Sequence, residues 1–224
     1  MQTQAVEDYL KTIFEIECER GSVATTVLAE RQGVTPASVT GMIKKLADMR
    51  LVDYERYQGL VLTAAGRKIA LEVIRHHRLL EVYLAEALGV PWDRVHEEAD
   101  KWEHILSEDV EDRMDALLGF PTTDPHGAPI PSRSGDMAMP AHRRLVDLVP
   151  GQTATLMEVS DHDPALLRHL GEVGLYPETS IQVLAHLAGE MTVSVGDTQY
   201  IVSDDNAAHM FVRDVREEPV IKKT

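Results

Sequence analysis

The chain has 224 residues, of which 44% are hydrophobic, and its 22 Lys and Arg against 37 Asp and Glu give a formal net charge of -15. This hydrophobic share excludes wholesale disorder, and the negative charge argues against a protein that binds DNA or anionic membranes by charge alone. The single cysteine, Cys18, excludes an internal disulfide framework and a cysteine-rich metal site. No secretory signal and no apolar run long enough for a membrane span is visible, so we expect a soluble cytoplasmic protein.

The charge is unevenly distributed along the chain. Residues 1–70 hold nine basic and nine acidic side chains, so the remaining residues carry the entire net charge of -15. We therefore expect a neutral N-terminal module joined to an acidic body.

The first 63 residues show the pattern of a winged helix-turn-helix. Apolar residues at helical spacing predict helices over 4–18 and 25–31. A third helix is capped by Thr35, begins with Pro36 and runs to about Met49. Residues 51–55 and 60–63 are typical of two strands joined by a tight turn. Three helices followed by a hairpin predict a winged helix-turn-helix.

The rest of the chain is predicted to change from helical to β structure. Helices are predicted over about 64–87 and 92–118. Six prolines in residues 119–151 indicate a structured loop followed by a linker. Strand-like runs at 154–159, 181–184, 191–195 and 198–202, with one or two helical turns at 164–170, predict a small β-barrel-like domain.

The predicted helix over 92–118 carries residue types that bind transition metals. At about 100° per residue, one arc of that helix holds His96, Asp100, Glu103 and His104. The preceding helix adds His77 and Glu81, one turn apart. Imidazoles mixed with carboxylates suit Mn²⁺, Fe²⁺, Co²⁺, Ni²⁺ or Zn²⁺. For any single pair of a histidine and an acid one turn apart, the alternative is a polar helix face exposed to solvent. Two such helices beside a winged helix favour a metal site.

An enzymatic interpretation has little support in the sequence. His96 and Glu97 match the start of the zincin motif His-Glu-x-x-His, but Asp100 stands where the second histidine is needed. Neither a Gly-rich phosphate loop nor a Gly-x-Ser-x-Gly element is present. We expect a protein that is not an enzyme and has no small-molecule substrate. The alternatives are a metal-dependent hydrolase and a metal chaperone or adaptor that uses the β-domain for protein contacts.

Three stretches together resemble the diphtheria toxin repressor family, and specifically its manganese-sensing branch. They are HRLLE at 77–81, VHEEADKWEH at 95–104 and DPHGAPIP at 124–131. The resemblance covers nearly the whole chain. It implies a dimeric, metal-activated repressor of metal-uptake genes that binds double-stranded operator DNA. An iron-responsive repressor of the same family is the alternative.

The resemblance and the element pattern together predict an α+β, mainly α fold in three domains. Residues 1–73 form the winged helix-turn-helix DNA-binding domain, and residues 74–140 form a helical metal-binding and dimerisation domain. A linker over 141–151 leads to a C-terminal SH3-like (FeoA-like) β-barrel domain over 152–217, followed by a tail over 218–224.

The resemblance implies a primary regulatory metal site with the ligands Asp8, Asp100, Glu103 and His104. Iron-sensing members have Met and Cys at the first two of these positions, where this chain has carboxylates. Replacing soft sulfur by hard oxygen shifts the preference toward Mn²⁺. Fe²⁺ is the alternative effector, and Zn²⁺, Co²⁺, Ni²⁺ or Cd²⁺ are expected to substitute in vitro. Short manganese regulators have a further acid at the position of Lys11, and a cation there cannot ligate a metal.

A second metal site is also implied by the resemblance. Its ligands correspond to His77, Glu81 and His96, with Asp124 and His126 where some manganese-sensing members use a Cys and a His. The SH3-like domain can add a carboxylate, for which Asp163 is the best match and Asp161 of the same turn is the next. A plain turn without a ligand is the alternative for this segment.

DNA contacts are expected from the third helix, with phosphate contacts also from two flanking positions. The candidates that offer hydroxyls or positive charge are Thr26, Thr35, Ser38, Thr40, Lys44, Lys45 and, at the wing tip, Tyr57. The alternative for the two lysines is that they only keep the helix surface soluble and do not contact DNA. The family positions that read bases hold Thr35, Ala37 and Gly41. We therefore expect sparse direct readout, with methyl contacts to thymine and DNA shape supplying the rest.

Overall fold

The computed structural model describes residues 3–55, 59–138 and 143–217. These residues divide into two compact units that interleave along the chain. The first unit takes its residues from Met1–His77, Lys101–Glu111 and Pro131–Met137, and the second from Arg78–Asp100, Asp112–Ile130 and Ala138–Thr224. The domain boundaries proposed from the sequence stay predictions, and the tail over 218–224 lies outside the described residues.

The first unit contains the predicted winged helix-turn-helix. Its elements are α1 (Gln4–Arg20), α2 (Thr25–Arg31), α3 (Pro36–Asp48), β1 (Val52–Glu55) and β2 (Gly59–Leu62), and α4 (Ala64–Glu86) follows. Thr35 Oγ1 accepts a hydrogen bond from the Ser38 backbone nitrogen, which explains where α3 begins. The two strands pair antiparallel from Val52–Leu62 to Glu55–Gly59. Tyr57, predicted at the wing tip, lies outside the described residues.

One hydrophobic core holds these elements together. Its largest fully buried side chains come from α1, α2, α3 and α4, and they are Leu10, Ile13, Ile16, Leu28, Leu46 and Ile74. Removing such a side chain from water contributes about 1.5–3 kcal/mol. The core therefore fixes α1, which carries Asp8, in the same packed body as α3.

The prediction of one helix over 92–118 is wrong. The structure has α5 (Val95–Trp102) and α6 (Glu108–Leu117) with turns and irregular backbone at 103–107. Within this break the Glu103 carbonyl oxygen accepts a hydrogen bond from His76 Nδ1 at 3.1 Å, a contact with a side chain distant in sequence. The predicted single arc of four ligands therefore does not exist, because Glu103 and His104 lie in the break and not on a helix.

The second unit contains a six-stranded antiparallel sheet. Its strands are β3 (Arg143–Arg144), β4 (Gln152–Val159), β5 (Ser180–Leu187), β6 (Glu190–Val195), β7 (Thr198–Ser203) and β8 (Met210–Glu217), in the order β3-β8-β4-β5-β6-β7. Two helices, α7 (Pro164–Glu172) and α8 (Asp204–Ala207), connect strands. Sequence reasoning missed β8 because charged residues at 213, 214, 216 and 217 obscure its apolar alternation, although Met210 and Val212 are fully buried.

The predicted fold class is confirmed: the chain is α+β and mainly α, with an N-terminal winged helix-turn-helix, helices in the middle and an SH3-like sheet at the C-terminal end. Among residues 3–55, 59–138 and 143–217, no helix combines the length and the apolar character needed to cross a membrane.

Candidate metal centres

The first cluster consists of Asp8, Glu103 and His104, all in the first unit. Asp8 lies on α1, and the other two lie in the break after α5. Each offers one ligand atom, and these atoms lie within 4.8 Å of one another. His104 Nε2 is 2.7 Å from Asp8 Oδ1 and 3.2 Å from Glu103 Oε1. The structure therefore brings together three of the four residues predicted for the primary site.

Asp100, the fourth predicted ligand of that site, belongs to the second unit. Its Oδ2 lies 3.6 Å from His96 Nε2, one helical turn earlier on α5.

Glu103 is the most buried residue of the first cluster, with 2% of its side chain exposed. Its Oε2 accepts a hydrogen bond from Lys11 Nζ at 2.8 Å and lies 2.5 Å from His77 Nδ1. Burial acts to raise the pKa of Glu103, but the hydrogen bond with His77 and the charge of Lys11 outweigh it and lower that pKa. The carboxylate is therefore ionised, as a metal ligand must be.

The pKa of Asp8 is raised, whereas that of Glu103 is lowered. Partial burial raises the pKa of Asp8, the charge of Glu103 acts in the same direction, and the charge and hydrogen bond of His104 act against both. A bound cation favours the ionised forms of both carboxylates. This donor set of two carboxylates and one imidazole fits a divalent metal of intermediate hardness.

Glu7 is a site residue that sequence reasoning missed. Its Oε2 lies 2.7 Å from His104 Nδ1 and accepts a hydrogen bond when that nitrogen is protonated. This bond selects the tautomer in which Nε2 keeps its lone pair toward Asp8 and Glu103. Metal-binding histidines are commonly oriented in this way by a carboxylate. The signal available in the sequence was the Glu7-Asp8 pair on the first helix.

The second cluster lies in the second unit and consists of Glu81, His96, Asp124, His126 and Asp161. Glu81 lies on α4, His96 on α5 and Asp161 in the turn after β4, and their ligand atoms lie within 4.8 Å of one another. His96 Nδ1 is 3.0 Å from Asp161 Oδ2 and 3.4 Å from Glu81 Oε1. Burial opposes ionisation of Asp161, but the hydrogen bond and charge of His96 hold its pKa well below the ordinary value.

Two other residues predicted for the second site have further contacts of their own. Asp163, the first choice from the sequence, caps α7 by accepting hydrogen bonds from the Ala165 and Leu166 backbone nitrogens at 2.9 and 3.2 Å. His77 belongs to the first unit, where it lies beside Glu103. The second choice, Asp161, is the carboxylate beside His96.

The proline-rich loop supplies the buried part of the second cluster. Asp124 Oδ1 accepts hydrogen bonds from the His126 and Ala128 backbone nitrogens at 2.8 and 3.0 Å. Burial, reinforced by the charge of Glu81, raises the pKa of Asp124 to about 7. Two carboxyl groups and one imidazole are buried here and offer ligand atoms within 4.8 Å of one another, those of Glu81, Asp124 and His126.

His126 shows why this buried cluster fits a cation. Its Nε2 donates to the Trp92 carbonyl oxygen at 2.8 Å, so its Nδ1 carries a lone pair. Within the described part of the chain, that Nδ1 is buried, has no hydrogen-bond partner and lies 3.8 Å from Glu81 Oε1. An unsatisfied buried acceptor costs about 1–3 kcal/mol. A metal ion beside Glu81 would satisfy it.

Gly127 holds the His126 loop against β4. Its φ is +91°, and a Cβ there would lie 1.9 Å from the Met157 carbonyl oxygen. We expect Gly127→Ala to destabilise the second unit by about 1–3 kcal/mol, because backbone must move to relieve the overlap. Urea unfolding followed by Trp fluorescence measures this change. Gly189→Ala is the matched control, since Gly189 also has a positive φ but open space around it. Equal destabilisation of the two variants would contradict the steric argument.

The predicted DNA-contact residues on α2 and α3 are exposed, whereas Val39 and Leu46 of α3 are buried in the core. The exposed residues are Thr26, Thr35, Ala37, Ser38, Thr40, Gly41, Lys44 and Lys45. Three hydroxyls are already engaged: Thr35 Oγ1 lies 3.0 Å from Ser38 Oγ, and Thr40 Oγ1 donates to the Pro36 carbonyl oxygen at 2.9 Å. Thr40 can therefore offer DNA its methyl group and a hydroxyl acceptor.

Family models match three consecutive parts of the chain. Residues 1–60 match the model described as the iron dependent repressor N-terminal DNA binding domain. Residues 63–132 match the iron dependent repressor metal binding and dimerisation domain, and residues 143–214 match the FeoA domain.

Some similar proteins are named for dependence on iron and others for dependence on manganese. The iron-dependent repressor IdeR of Mycobacterium leprae is 32% identical over 91% of this chain and 94% of its own length. The HTH-type transcriptional regulator MntR of Oceanobacillus iheyensis is 36% identical over 54% of this chain and 81% of its own length. A solved structure of a manganese-dependent transcriptional repressor in complex with manganese has a TM-score of 0.86 and 38% identity, covering 92% of this chain and 98% of that one.

Proposed function

Since the chain belongs to the diphtheria toxin repressor family of metal-dependent transcriptional regulators, we propose that it is a Mn²⁺-activated repressor of metal-uptake genes. The relatives that it matches are transcriptional repressors and not enzymes. The proposed partner is double-stranded operator DNA, bound by a homodimer in the cytoplasm.

The observation that carries this proposal is the position of Asp8. It lies on the first helix of the winged helix-turn-helix, and His104 Nε2, from the break after α5, lies 2.7 Å away. A divalent ion held by Asp8, Glu103 and His104 would link α1 to residues 103–104 and neutralise two carboxylates. Both effects favour the DNA-binding arrangement by shifting a pre-existing equilibrium.

Mn²⁺ is proposed as the effector because the first cluster offers oxygen and imidazole and no sulfur. The test is a set of operator-binding titrations with Mn²⁺, Fe²⁺ and Zn²⁺, each against the metal-free protein. The probe is double-stranded DNA selected from genomic fragments on the Mn²⁺-loaded protein. We expect Mn²⁺ to activate binding at physiological concentrations. Activation by Fe²⁺ at lower free concentrations than Mn²⁺ would assign the protein to the iron-responsive regulators instead.

The second cluster is proposed as an ancillary metal site. Glu81, His96 and Asp161 would supply ligands, and His126 would contribute its buried Nδ1. Asp124 would act either as a ligand or by holding the loop that carries His126. Ligand roles for His77, Asp100 and Asp163 stay predictions.

A homodimer is supported by exposed apolar side chains in one segment of the first unit. In the segment Lys101–Glu111, three large apolar side chains are 40–80% exposed: Trp102, Ile105 and Val110. Large apolar side chains exposed within one short segment are candidates for burial at a protein interface. We propose that a second copy of the chain covers them.

Lys44 tests the proposed DNA surface. It is exposed near the end of α3, and we propose that it contacts a phosphate. Replacing Lys44 by Gln should weaken operator binding and reduce the slope of log K against log salt by about 1, because one fewer counterion is released. Fluorescence anisotropy at several salt concentrations measures both quantities. Lys68→Gln, an exposed change of the same kind on α4, is the control. An unchanged slope in Lys44→Gln would remove Lys44 from the interface.

A further inference from the structure

We propose that Gln32 is a positioning residue that couples the first cluster to α3, the helix proposed to contact DNA. Its side-chain amide joins the turn between α2 and α3 to the part of α1 that carries Asp8. The inference rests on the proposed function of Asp8 as a metal ligand. It adds the contact through which an ion bound there would act on the DNA-binding helix.

Gln32 stands at the junction between the two helices of the helix-turn-helix. It is the residue after α2, and its backbone nitrogen donates to the Leu28 carbonyl oxygen at 3.0 Å. Gly33 follows with a φ of +61°, which turns the chain, and Thr35 then caps α3. Because only two residues separate Gln32 from this cap, a displacement of Gln32 shifts the start of α3.

The side chain of Gln32 reaches from this junction to α1. Its Nε2 donates to Thr12 Oγ1 at 2.7 Å and, over a longer distance of 3.5 Å, to the Asp8 carbonyl oxygen. Thr12 is buried and follows Asp8 by about one helical turn, so the two residues are neighbours on one side of α1. The amide thus binds the same turn of α1 that places the Asp8 carboxylate beside His104.

This hydrogen bond constrains the two segments more strictly than the core around them does. The helices α1, α2 and α3 share one hydrophobic core, and apolar contacts are not directional. The bond from Gln32 to Thr12 fixes both a distance and a direction, and it satisfies a buried hydroxyl. A metal ion that draws Asp8 toward Glu103 and His104 would therefore carry the turn before α3 with it.

The alternative is that Gln32 only satisfies the Thr12 hydroxyl and stabilises the fold. Loss of that role would lower the thermal unfolding midpoint but leave the response of DNA binding to metal unchanged. The two roles therefore differ in one quantity, the ratio of operator affinity in excess Mn²⁺ to operator affinity in EDTA. The same ratio describes how much the operator strengthens Mn²⁺ binding, because coupling between two ligands is reciprocal.

The test measures this ratio by fluorescence anisotropy for full-length variants on the selected operator. Gln32→Leu removes the amide and keeps a side chain of similar size, and we expect it to lower the ratio by about 3- to 10-fold. Thr12→Val removes the hydroxyl at the other end of the bond and should lower the ratio to a similar extent. Thr12→Ser keeps the hydroxyl and should retain the parent ratio. Gln199→Leu, the same change at an exposed position of β7, is the matched control.

Combining Gln32→Leu with Thr12→Val tests whether both residues act through one bond. The double variant should have about the same ratio as either single variant, because the bond can be lost only once. Ratios in both single variants equal to that of the parent would overturn the inference. Losses that multiply in the double variant would overturn it as well.

Amide hydrogen exchange of the parent protein gives a second readout that does not depend on the folding of any variant. Without DNA, Mn²⁺ should slow exchange across residues 32–35 as well as in α1. Unchanged exchange at 32–35, in a protein whose operator binding responds to Mn²⁺, would overturn the inference alone. If operator binding by the parent does not respond to Mn²⁺, the proposed function fails and the inference fails with it.

Discussion

Glu103→Gln is expected to weaken Mn²⁺ binding at the first cluster by at least about 100-fold and to abolish metal-dependent operator binding. Loss of groups that merely orient metal ligands already costs about 10–100-fold, and Glu103 is proposed as a direct ligand. It is also the buried carboxylate whose Oε1 lies beside His104 and whose Oε2 binds Lys11. An amide keeps the size of the side chain but cannot neutralise the ion.

Calorimetry with Mn²⁺ and anisotropy of labelled operator measure the two losses. Glu190→Gln makes the same chemical change at an exposed position of β6 and should leave both unchanged. The thermal unfolding midpoint must be recorded for each variant, since Lys11 loses part of its bonding in Glu103→Gln. If folded Glu103→Gln binds operator with Mn²⁺ as tightly as the parent does, Glu103 is not part of the activating site.

Arg75→Met is expected to lower the free energy of unfolding by about 3 kcal/mol. Arg75 Nε donates to Glu111 Oε1 at 2.5 Å, and both residues are buried in the first unit. Its guanidinium also donates to the Pro131 carbonyl oxygen at 2.9 Å. Removing one partner of a buried ion pair leaves an uncompensated charge, which costs about 3–5 kcal/mol. We expect a loss at the lower end of this range because a guanidinium nitrogen of Arg133 still lies 2.7 Å from Glu111 Oε2.

Urea unfolding of the variants separates this explanation from a simple loss of packing. Arg75→Met combined with Glu111→Leu should be more stable than Arg75→Met alone, because the buried carboxylate is then gone. Arg168→Met breaks a surface pair with Asp93 and should cost no more than about 1 kcal/mol. A double variant less stable than Arg75→Met would show that the charge is not the cause.

The same pair gives a pH dependence with a definite sign. Burial acts to raise the pKa of Glu111, but the hydrogen bond of Arg75 and the charges of His76, Arg75 and Arg133 lower it. A carboxyl with a lowered pKa in the folded state stabilises the protein above its unfolded pKa of about 4.3, and this stabilisation is lost as the pH falls through the folded pKa. The difference in stability between the parent and Glu111→Gln should therefore be full at neutral pH and shrink in acid.

Local signals in the sequence predicted the winged helix-turn-helix well. The hydroxyl of Thr35 caps α3 as expected, and the apolar spacing of α1 corresponds to its buried side chains. These elements follow from residues close together in the chain. Asp8 is different, because 95 residues separate it from Glu103 and spacing cannot relate them. Its selection depended on the family resemblance.

Contacts between distant residues account for what the sequence could not predict. The break after α5 includes a hydrogen bond between His76 and the Glu103 carbonyl oxygen, which helical periodicity does not reveal. Asp161 and Asp163 occupy one turn, and the cap of α7 engages Asp163 while Asp161 lies beside His96. The bond from Glu7 to His104 and the position of Lys11 likewise depend on the packing of α1 in the first unit.

The central claim is that metal at the first cluster controls DNA binding, and operator affinity with and without Mn²⁺ tests it most directly. The affinity of the full-length protein for its selected operator is measured in EDTA and again in excess Mn²⁺, with Asp8→Ala alongside. We predict that Mn²⁺ strengthens binding by the parent protein and that Asp8→Ala loses most of this response. Equal affinity of the parent protein in EDTA and in excess Mn²⁺ would contradict the claim.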